Sequence, residues 1–289
     1  MRIIVTHVSP DLDAITSVWL IKKYLSGWQD AITQFVPAGE RINGNKNTKD
    51  AIEKIGEDEV VHVDTGLGPL DHHQTSDEAL CAASLTFDFV KKSISKEKVK
   101  AVERIVKIVV DIDHFKEVFW GNPTADHHEF SLAGILDGLK LEKPNQDEFY
   151  VSFIIECLDA LLHEFENRIW AEKEIKENGI EFTTRFGKGI GFETINDSVI
   201  KLAQKMGFVV VLRKDPRKGY VRIKARPSKE KSIGLDLTLV YEKLKKIDPD
   251  ATWFLHVSKK MLLNGSVKNP KMRSTKLSLS DIIKVLTQI

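Results

Sequence analysis

Two short apolar runs break off into carboxylates and imidazoles, and this constrains the fold more than any bulk property of the chain. Ile3 to Thr6 gives way to His7-Val8-Ser9-Pro10-Asp11-Leu12-Asp13, and Val60 to Val63 gives way to Asp64-Thr65-Gly66, with Asp71-His72-His73 after the following loop. Short apolar runs bounded by turn residues read as buried strands. The polar residues then sit at carboxyl ends of strands, where open α/β sheets bind ligands. Ser9-Pro10 turns the chain, and Asp11 and Asp13 open the next helix near its positive end. Carboxylates one residue apart point in different directions, which suits two adjacent cations, Asp11 serving one and Asp13 the other, with Asp64 placed to bridge. His72 and His73 cannot share a helix face, because neighbours diverge by about 100°; in a loop, one ligates while the other meets substrate. An N-cap aspartate beside a turn histidine would account for the first segment alone. Three such segments at successive strand ends favour a centre for two divalent cations.

The rest of the chain follows an α/β rhythm and then changes style. Strands are predicted at Ile3 to Thr6, Gln34 to Val36 and Val60 to Asp64, with helices at Asp13 to Leu25, Thr48 to Lys54, Glu78 to Ser93, Glu97 to Ile112 and Ser131 to Leu139. That pattern implies a parallel sheet. Apolar residues at helical spacing from Glu148 to Asn178 predict one long helix, closed by Asn178-Gly179. Beyond it come predicted strands at Ile180 to Phe186, Phe192 to Ile195, Phe208 to Leu212, Tyr220 to Ala225 and Trp253 to Val257, and helices at Asp236 to Lys246 and Ser278 to Leu286. Gly187 to Gly191 reads as a hairpin turn. The expected organisation is a metal-binding catalytic domain over 1–145, a linking helix over 146–179, and a smaller mixed α/β substrate-binding domain over 180–289.

Charge is divided in the same way. Residues 1–140 hold 16 Lys and Arg against 22 Asp and Glu, and residues 141–289 hold 27 against 20, so an acidic half can collect cations while a basic half faces phosphate. The basic character peaks between Arg213 and Lys231, where nine Lys and Arg, Lys229 among them, meet only Asp215 and Glu230. Alternation puts Arg222, Lys224 and Arg226 on one strand face, suited to the phosphates of a small molecule or a short single-stranded oligonucleotide. Tyr220 and Phe208 are candidates to stack a base or to fill the core. Asp126-His127-His128 repeats the letters of the earlier motif, and a helix-capping aspartate with exposed histidines is the simpler reading. Cys81 and Cys157 lack metal-ligand spacing and read as buried free thiols. No stretch approaches the roughly 18 apolar residues of a membrane span, so the expected location is the cytoplasm, without a membrane partner. A homodimer is left open.

The run H-V-S-P-D-L-D-A, the V-D-T and the D-H-H resemble, in order and context, the first three motifs of the DHH phosphoesterase superfamily. That superfamily includes family II inorganic pyrophosphatases, RecJ-like exonucleases, nanoRNases and cyclic-dinucleotide phosphodiesterases. Residues 220–226 and Leu235-Asp236-Leu237 resemble its associated substrate domain. The resemblance implies His7, Asp11 and Asp64 on one metal, and Asp13, Asp64, His72 and a fourth-motif aspartate on the other. Asp113 is favoured for the fourth motif over Asp111. It implies His73 on the scissile phosphate and Asp71 holding a histidine ring. The cofactor it implies is two divalent ions, Mn2+ in the first place, with Mg2+ or Co2+ as alternatives. The implied activity is hydrolysis of a phosphodiester or phosphomonoester of a nucleotide or short oligonucleotide. The alternatives are a pyrophosphatase or exopolyphosphatase-like anhydride hydrolase, and a catalytically silent metal-dependent nucleotide-binding protein. The chain departs from the family at its glycine-rich G-G-G-H loop: the corresponding stretch reads Trp253-Phe254-Leu255-His256-Val257-Ser258-Lys259-Lys260, where His256 stands for the family's histidine without the glycines.

Overall fold

The run Ile3-Ile4-Val5 is buried throughout, as a strand must be when it lies inside a sheet with both faces covered. It forms the centre of β1 (Arg2–His7), which pairs in parallel with β2 (Ile32–Val36) on one side and β4 (Asp58–His62) on the other. The computed structural model describes residues 1–42, 48–228, 235–266 and 268–288. Lys229 and Lys231 of the basic run lie outside the described residues. Among those described, the protein is mixed α/β, with two sheets and eight α-helices. It divides into two units, Met1–Glu166 and Asn167–Ile289.

In the first unit the strand order is β2-β1-β4-β3. β3 (Ile52–Ile55) runs antiparallel to β4, so the sheet is parallel except at this edge. The segment predicted as a helix over Thr48 to Lys54 is thus irregular up to Ala51 and strand from Ile52. Ile55 pairs with Asp58 across a two-residue loop in which Gly56 has φ +62°. A glycine at the first position of such a loop is what a tight hairpin requires, and the unpaired edge of β4 supplies the hydrogen bonds that outweigh helix propensity. Helix α1 (Leu12–Tyr24) is buried from Leu12 to Ile21, and it packs against β1, α2 (Ala82–Val90) and α3 (Lys96–Asp113). A helix apolar on all sides can only be interior. α2 begins four residues later than predicted, and α3 nearly where expected. α4 (Leu132–Glu142) is capped by Ser131, whose hydroxyl accepts from the Gly134 N–H at 3.1 Å; Asp126 is therefore not its cap. No helix among the described residues is long and apolar enough to cross a membrane. Cys81 is buried as expected, whereas Cys157 is half-buried; both are free thiols.

α5 (Asp147–Asn178) carries the chain into the second unit, the division falling within it. There a six-stranded sheet has the order β5-β6-β7-β8-β10-β9, with only β6 and β7 parallel. Its strands are β5 (Ile180–Thr184), β6 (Gly187–Glu193), β7 (Val210–Lys214), β8 (Val221–Ala225), β9 (Trp253–Leu255) and β10 (Met261–Asn264). One face packs on α7 (Thr238–Ile247) and α8 (Leu279–Thr287) through Leu212, Ile223, Val240 and Ile282. The other packs on α6 (Ser198–Lys205) and the end of α5 through Ile190, Val211, Ile200 and Ala171. α6 and β10 were not foreseen. The predicted turn at Gly187 to Gly191 is instead the body of β6, and the reason lies across the ladder. Gly189 pairs with Phe182, and a Cβ there would lie 2.4 Å from the Phe182 ring, so the ring occupies the space that a side chain would take. Phe208 packs against the core on the α6 face, as the plainer reading of it predicts.

Candidate metal centre

β1, β2 and β4 end at the same edge of the first sheet, and a cavity of about 530 Å³ opens there. Its lining comes from each strand end and from the end of α3: His7 and Asp11 after β1, Ala38 and Gly39 after β2, Asp64 to His73 after β4, and Asp113 with His114. This is where ligands bind in open α/β sheets.

Asp64 lies at the centre. It is 3% exposed and sits two residues past β4 with φ +53°. Its Oδ2 is 3.2 Å from His7 Nε2, and its Oδ1 is 3.6 Å from His72 Nε2 and 3.7 Å from His73 Nδ1. Oδ1 is buried and has no hydrogen-bond partner, although a buried carboxylate oxygen without one is costly. A cation at Oδ1 would remove that cost, and two oxygens facing two separate groups are what a bridging ligand needs. Burial pushes the Asp64 carboxyl up to about 6, opposed by the hydrogen bond from His7. Burial works against a charged His7 ring, but its bonds to Asp64 and the Val8 carbonyl, with the nearby carboxylates, outweigh it and raise His7 to about 9.

Three groups of side chains bring ligand atoms close enough to hold a metal: His7-Asp11-Asp64, Asp64-His72-His73 and His72-Asp113-His114. Asp11 caps α1, its Oδ1 accepting from the Ala14 N–H at 3.0 Å while Oδ2 stands 3.9 Å from His7 Nε2. Asp13 is turned toward the start of α2, where its two oxygens accept from the Ala82 and Ala83 N–H groups at 2.7 Å each. Its Oδ2 remains 3.7 Å from His72 Nε2, so it borders the second group without belonging to it. Burial and the adjoining Asp64 charge hold its carboxyl well above the usual range. Asp113 Oδ2 is 3.6 Å from His72 Nε2, and burial raises it too. Asp111, two residues earlier on α3, is not among these groups.

Asp71 has a different task. Its Oδ2 accepts from the Leu67 N–H at 2.7 Å, and its Oδ1 accepts from the His73 N–H at 3.1 Å and the His73 ring at 2.6 Å. Burial would raise it, but these bonds hold it below the usual range. His73 is more than half exposed, with Nδ1 engaged by Asp71. Burial opposes its charge, yet the Asp71 bond raises it overall. His114 was missed as a site residue. It directly follows Asp113, and its Nε2–H donates to the Leu80 carbonyl at 2.7 Å.

The candidates in the second unit are less free than alternation suggested. Arg222 forms an ion pair with Asp197, which also holds the buried Arg213 at 2.8 Å. Lys224 is half-buried and pushed down by burial and by the charges of Arg222 and Lys201. Arg226 lies past the end of β8, its guanidinium 3.4 Å from the Gly207 carbonyl. His256 is in the turn between β9 and β10, where Nδ1 accepts from the Ser258 N–H at 3.2 Å and from its hydroxyl at 2.8 Å. Tyr220 covers Gly265, where an added Cβ would lie 2.0 Å from the ring. Asp126 and His127 are exposed and His128 is half-buried in a loop, apart from the three groups above.

The chain is similar to several solved structures. One is a DHH-domain protein described as a member of a family of ribosomal proteins, at 10% identity over 99% of this chain and 86% of that one, TM-score 0.36. Another is a pGpG-specific phosphodiesterase from Vibrio cholerae, at 12% identity over 98% of each chain, TM-score 0.27. A third is a Methanococcus jannaschii protein assigned as a family II inorganic pyrophosphatase, at 15% identity over 99% of each chain, TM-score 0.20. No family model and no curated protein matches the chain.

Proposed function

We propose that the chain is a phosphoesterase of the DHH type, hydrolysing a phosphate ester of a nucleotide or short oligonucleotide with two divalent cations, Mn2+ foremost. The observation that carries this reading is the buried, unpartnered Asp64 Oδ1 between His7 on one side and His72 and His73 on the other. In this reading His7, Asp11 and Asp64 hold one cation, and Asp64, His72 and Asp113, with Asp13 at their border, hold the other. Such a pair supplies charge neutralisation of phosphoryl oxygens and activation of a water near neutral pH.

The chain's own groups do the remaining work. Asp71 fixes the His73 ring by accepting from Nδ1–H, which leaves Nε2–H to donate to a phosphoryl oxygen. The Asp71 bond raises His73 against the effect of burial and so favours the charged form of that donor. Asp13, bound to the first N–H groups of α2, ties α1 and α2 together under the cavity.

The test is release of phosphate or nucleotide in Mn2+ from a panel of pyrophosphate, a nucleoside bisphosphate, a cyclic dinucleotide, pGpG and a short RNA, beside Asp64→Ala. Turnover of an ester that drops by about 10²–10³-fold or more in the variant supports the reading. Turnover of pyrophosphate alone replaces it with an anhydride hydrolase. Two bound cations with no turnover favour the silent binding protein, a reading for which the glycine-free turn at His256 to Lys260 speaks.

A further inference from the structure

The segment from Asp64 to Asp71 delivers most of the centre, yet its backbone is an improbable one to hold still. Asp64 and Leu67 have φ +53° and +55°, a region that L side chains seldom occupy, and Gly66 has φ +80°. Such conformations persist only where the surroundings over-determine them. On the cavity side the restraints are the Asp71 bonds already described. The Gln74 amide also donates to the Gly68 carbonyl at 3.1 Å and the Thr65 hydroxyl to the Glu40 carbonyl at 3.0 Å, and against the loop glycines lies a buried side chain, Arg41.

Arg41 is 7% exposed, and its guanidinium lies directly against the two glycines of the loop. A Cβ on Gly66 would come within 2.3 Å of Arg41 Cγ, and one on Gly68 within 2.8 Å of Nη1. Nη1 donates to the Gly66 carbonyl at 3.0 Å, while Nη2 forms an ion pair with Glu53 on β3. Glu53 is fixed in turn by His62. The Ile42 N–H donates to His62 Nε2 at 3.2 Å, and His62 Nδ1 lies 3.2 Å from both Glu53 Oε1 and Arg41 Nη2. The network therefore runs from the edge strand, through a planar fork, to the loop that carries Asp64.

We infer that Arg41 is a positioning residue of the metal centre, clamping the Asp64 to Asp71 loop from beneath so that Asp64 faces His7 and His72 at once. The inference rests on the metal-centre reading above. Stability alone is a poor explanation for the network, since a buried ion pair is on balance often no better than apolar residues of similar volume. A fork with two donors in fixed geometry, one for β3 and one for the loop, is what lysine cannot reproduce. Chance burial of an arginine would not require both glycines at the points where the guanidinium passes.

The decisive experiment is Mn2+ binding by the full chain, read as free Mn2+ by electron paramagnetic resonance, with circular dichroism as the check of folding. Arg41→Met with Glu53→Gln removes both charges together, so that no buried charge is stranded. Arg41→Lys tests the fork. The expected result is a folded protein whose Mn2+ affinity falls by about 10–100-fold, the range for groups that orient ligands, with no rescue by Arg41→Lys. Affinity within twofold of the native chain in the folded double variant overturns the inference, as does full rescue by Lys. If the double variant does not fold, Gly68→Ala decides in the same way, because it keeps both charges and displaces only the Nη1 end of the fork. Failure of the native chain to bind Mn2+ would instead overturn the metal-centre reading itself.

Discussion

The metal cavity and the basic face of β8 are both built from charged side chains on a sheet, yet they treat charge in opposite ways. In the first unit Asp13, Asp64 and Asp113 crowd together, burial raises all three, and Asp64 Oδ1 has no partner. In the second, Asp197 serves both Arg213 and Arg222, and Asp215 is held low by the N–H groups of Arg217 and Lys218 against the effect of burial. Polar groups that neutralise one another are part of the fold. Groups buried together with their needs unmet are held for something else. On that criterion the first site has the donor set that the proposed cations would use, and much of the basic face is framework.

The largest effect that could break this contrast concerns α3. Asp113→Asn should weaken the second cation by about 10–100-fold or more and leave the first within a few-fold, measured as two-step Mn2+ binding. Asp111→Asn should change neither step. Equal losses from both variants would mean that the helix end is merely acidic, with no particular carboxylate acting as ligand.

That choice also marks how far the sequence could be read. The cavity-lining segments after β1 and β4 were legible because each apolar run stops abruptly at a His or Asp. That Asp113 rather than Asp111 lines the cavity has a sequence signal that adjacency hides: Val102, Val106 and Val109 form the buried stripe of α3, and Asp113 continues it at i+4 from Val109, whereas Asp111 leaves it. The strand nature of Gly187 to Gly191 was not legible locally, because Phe182, on the neighbouring strand, fills the space above Gly189. Nor was the pairing of Arg222, since Asp197 lies on the far side of a helix in sequence and only the fold brings them together. Arg41 gave no local signal at all; its meaning comes from Gly66, Gly68 and Glu53.

The next effect is on stability without cations. A carboxyl raised in the folded state favours folding fully below its unfolded pKa and loses that contribution as pH rises through the folded value. For Asp64 the window runs from 3.8 to about 6, a change of about 3 kcal/mol if it acts alone, and Asp13 and Asp113 act with the same sign. His62, lowered chiefly by burial, opposes them below pH 6.5 as a single group. Asp215 and Asp236, held low, contribute above 3.8 and lose that contribution only as pH falls further. Denaturant unfolding of chelator-treated protein should therefore show stability falling from pH 4 to pH 7, and saturating Mn2+ should remove most of the slope. A flat profile without metal would mean that the acidic cluster is not strained, and the contrast between the two units would fail.

The smallest effect separates framework from binding within the second unit. Arg222→Ala strands Asp197 with only Arg213 as partner and removes a cation already neutralised, so it should cost stability of about 1 kcal/mol with KM nearly unchanged. Lys224 has no carboxylate partner among the described residues, and burial together with neighbouring positive charge leaves it in need of an anion. Lys224→Ala should leave stability unchanged or improve it slightly, because it relieves repulsion from Arg222 and Lys201. It should raise KM by about 3–10-fold, the loss of one charge contact of roughly 1 kcal/mol, with kcat preserved. Measuring KM and melting temperature on both variants assigns each side chain to one role. A KM effect from Arg222→Ala equal to that from Lys224→Ala would show that substrate displaces Asp197 from Arg222, and pairing within the fold would then no longer tell framework from site.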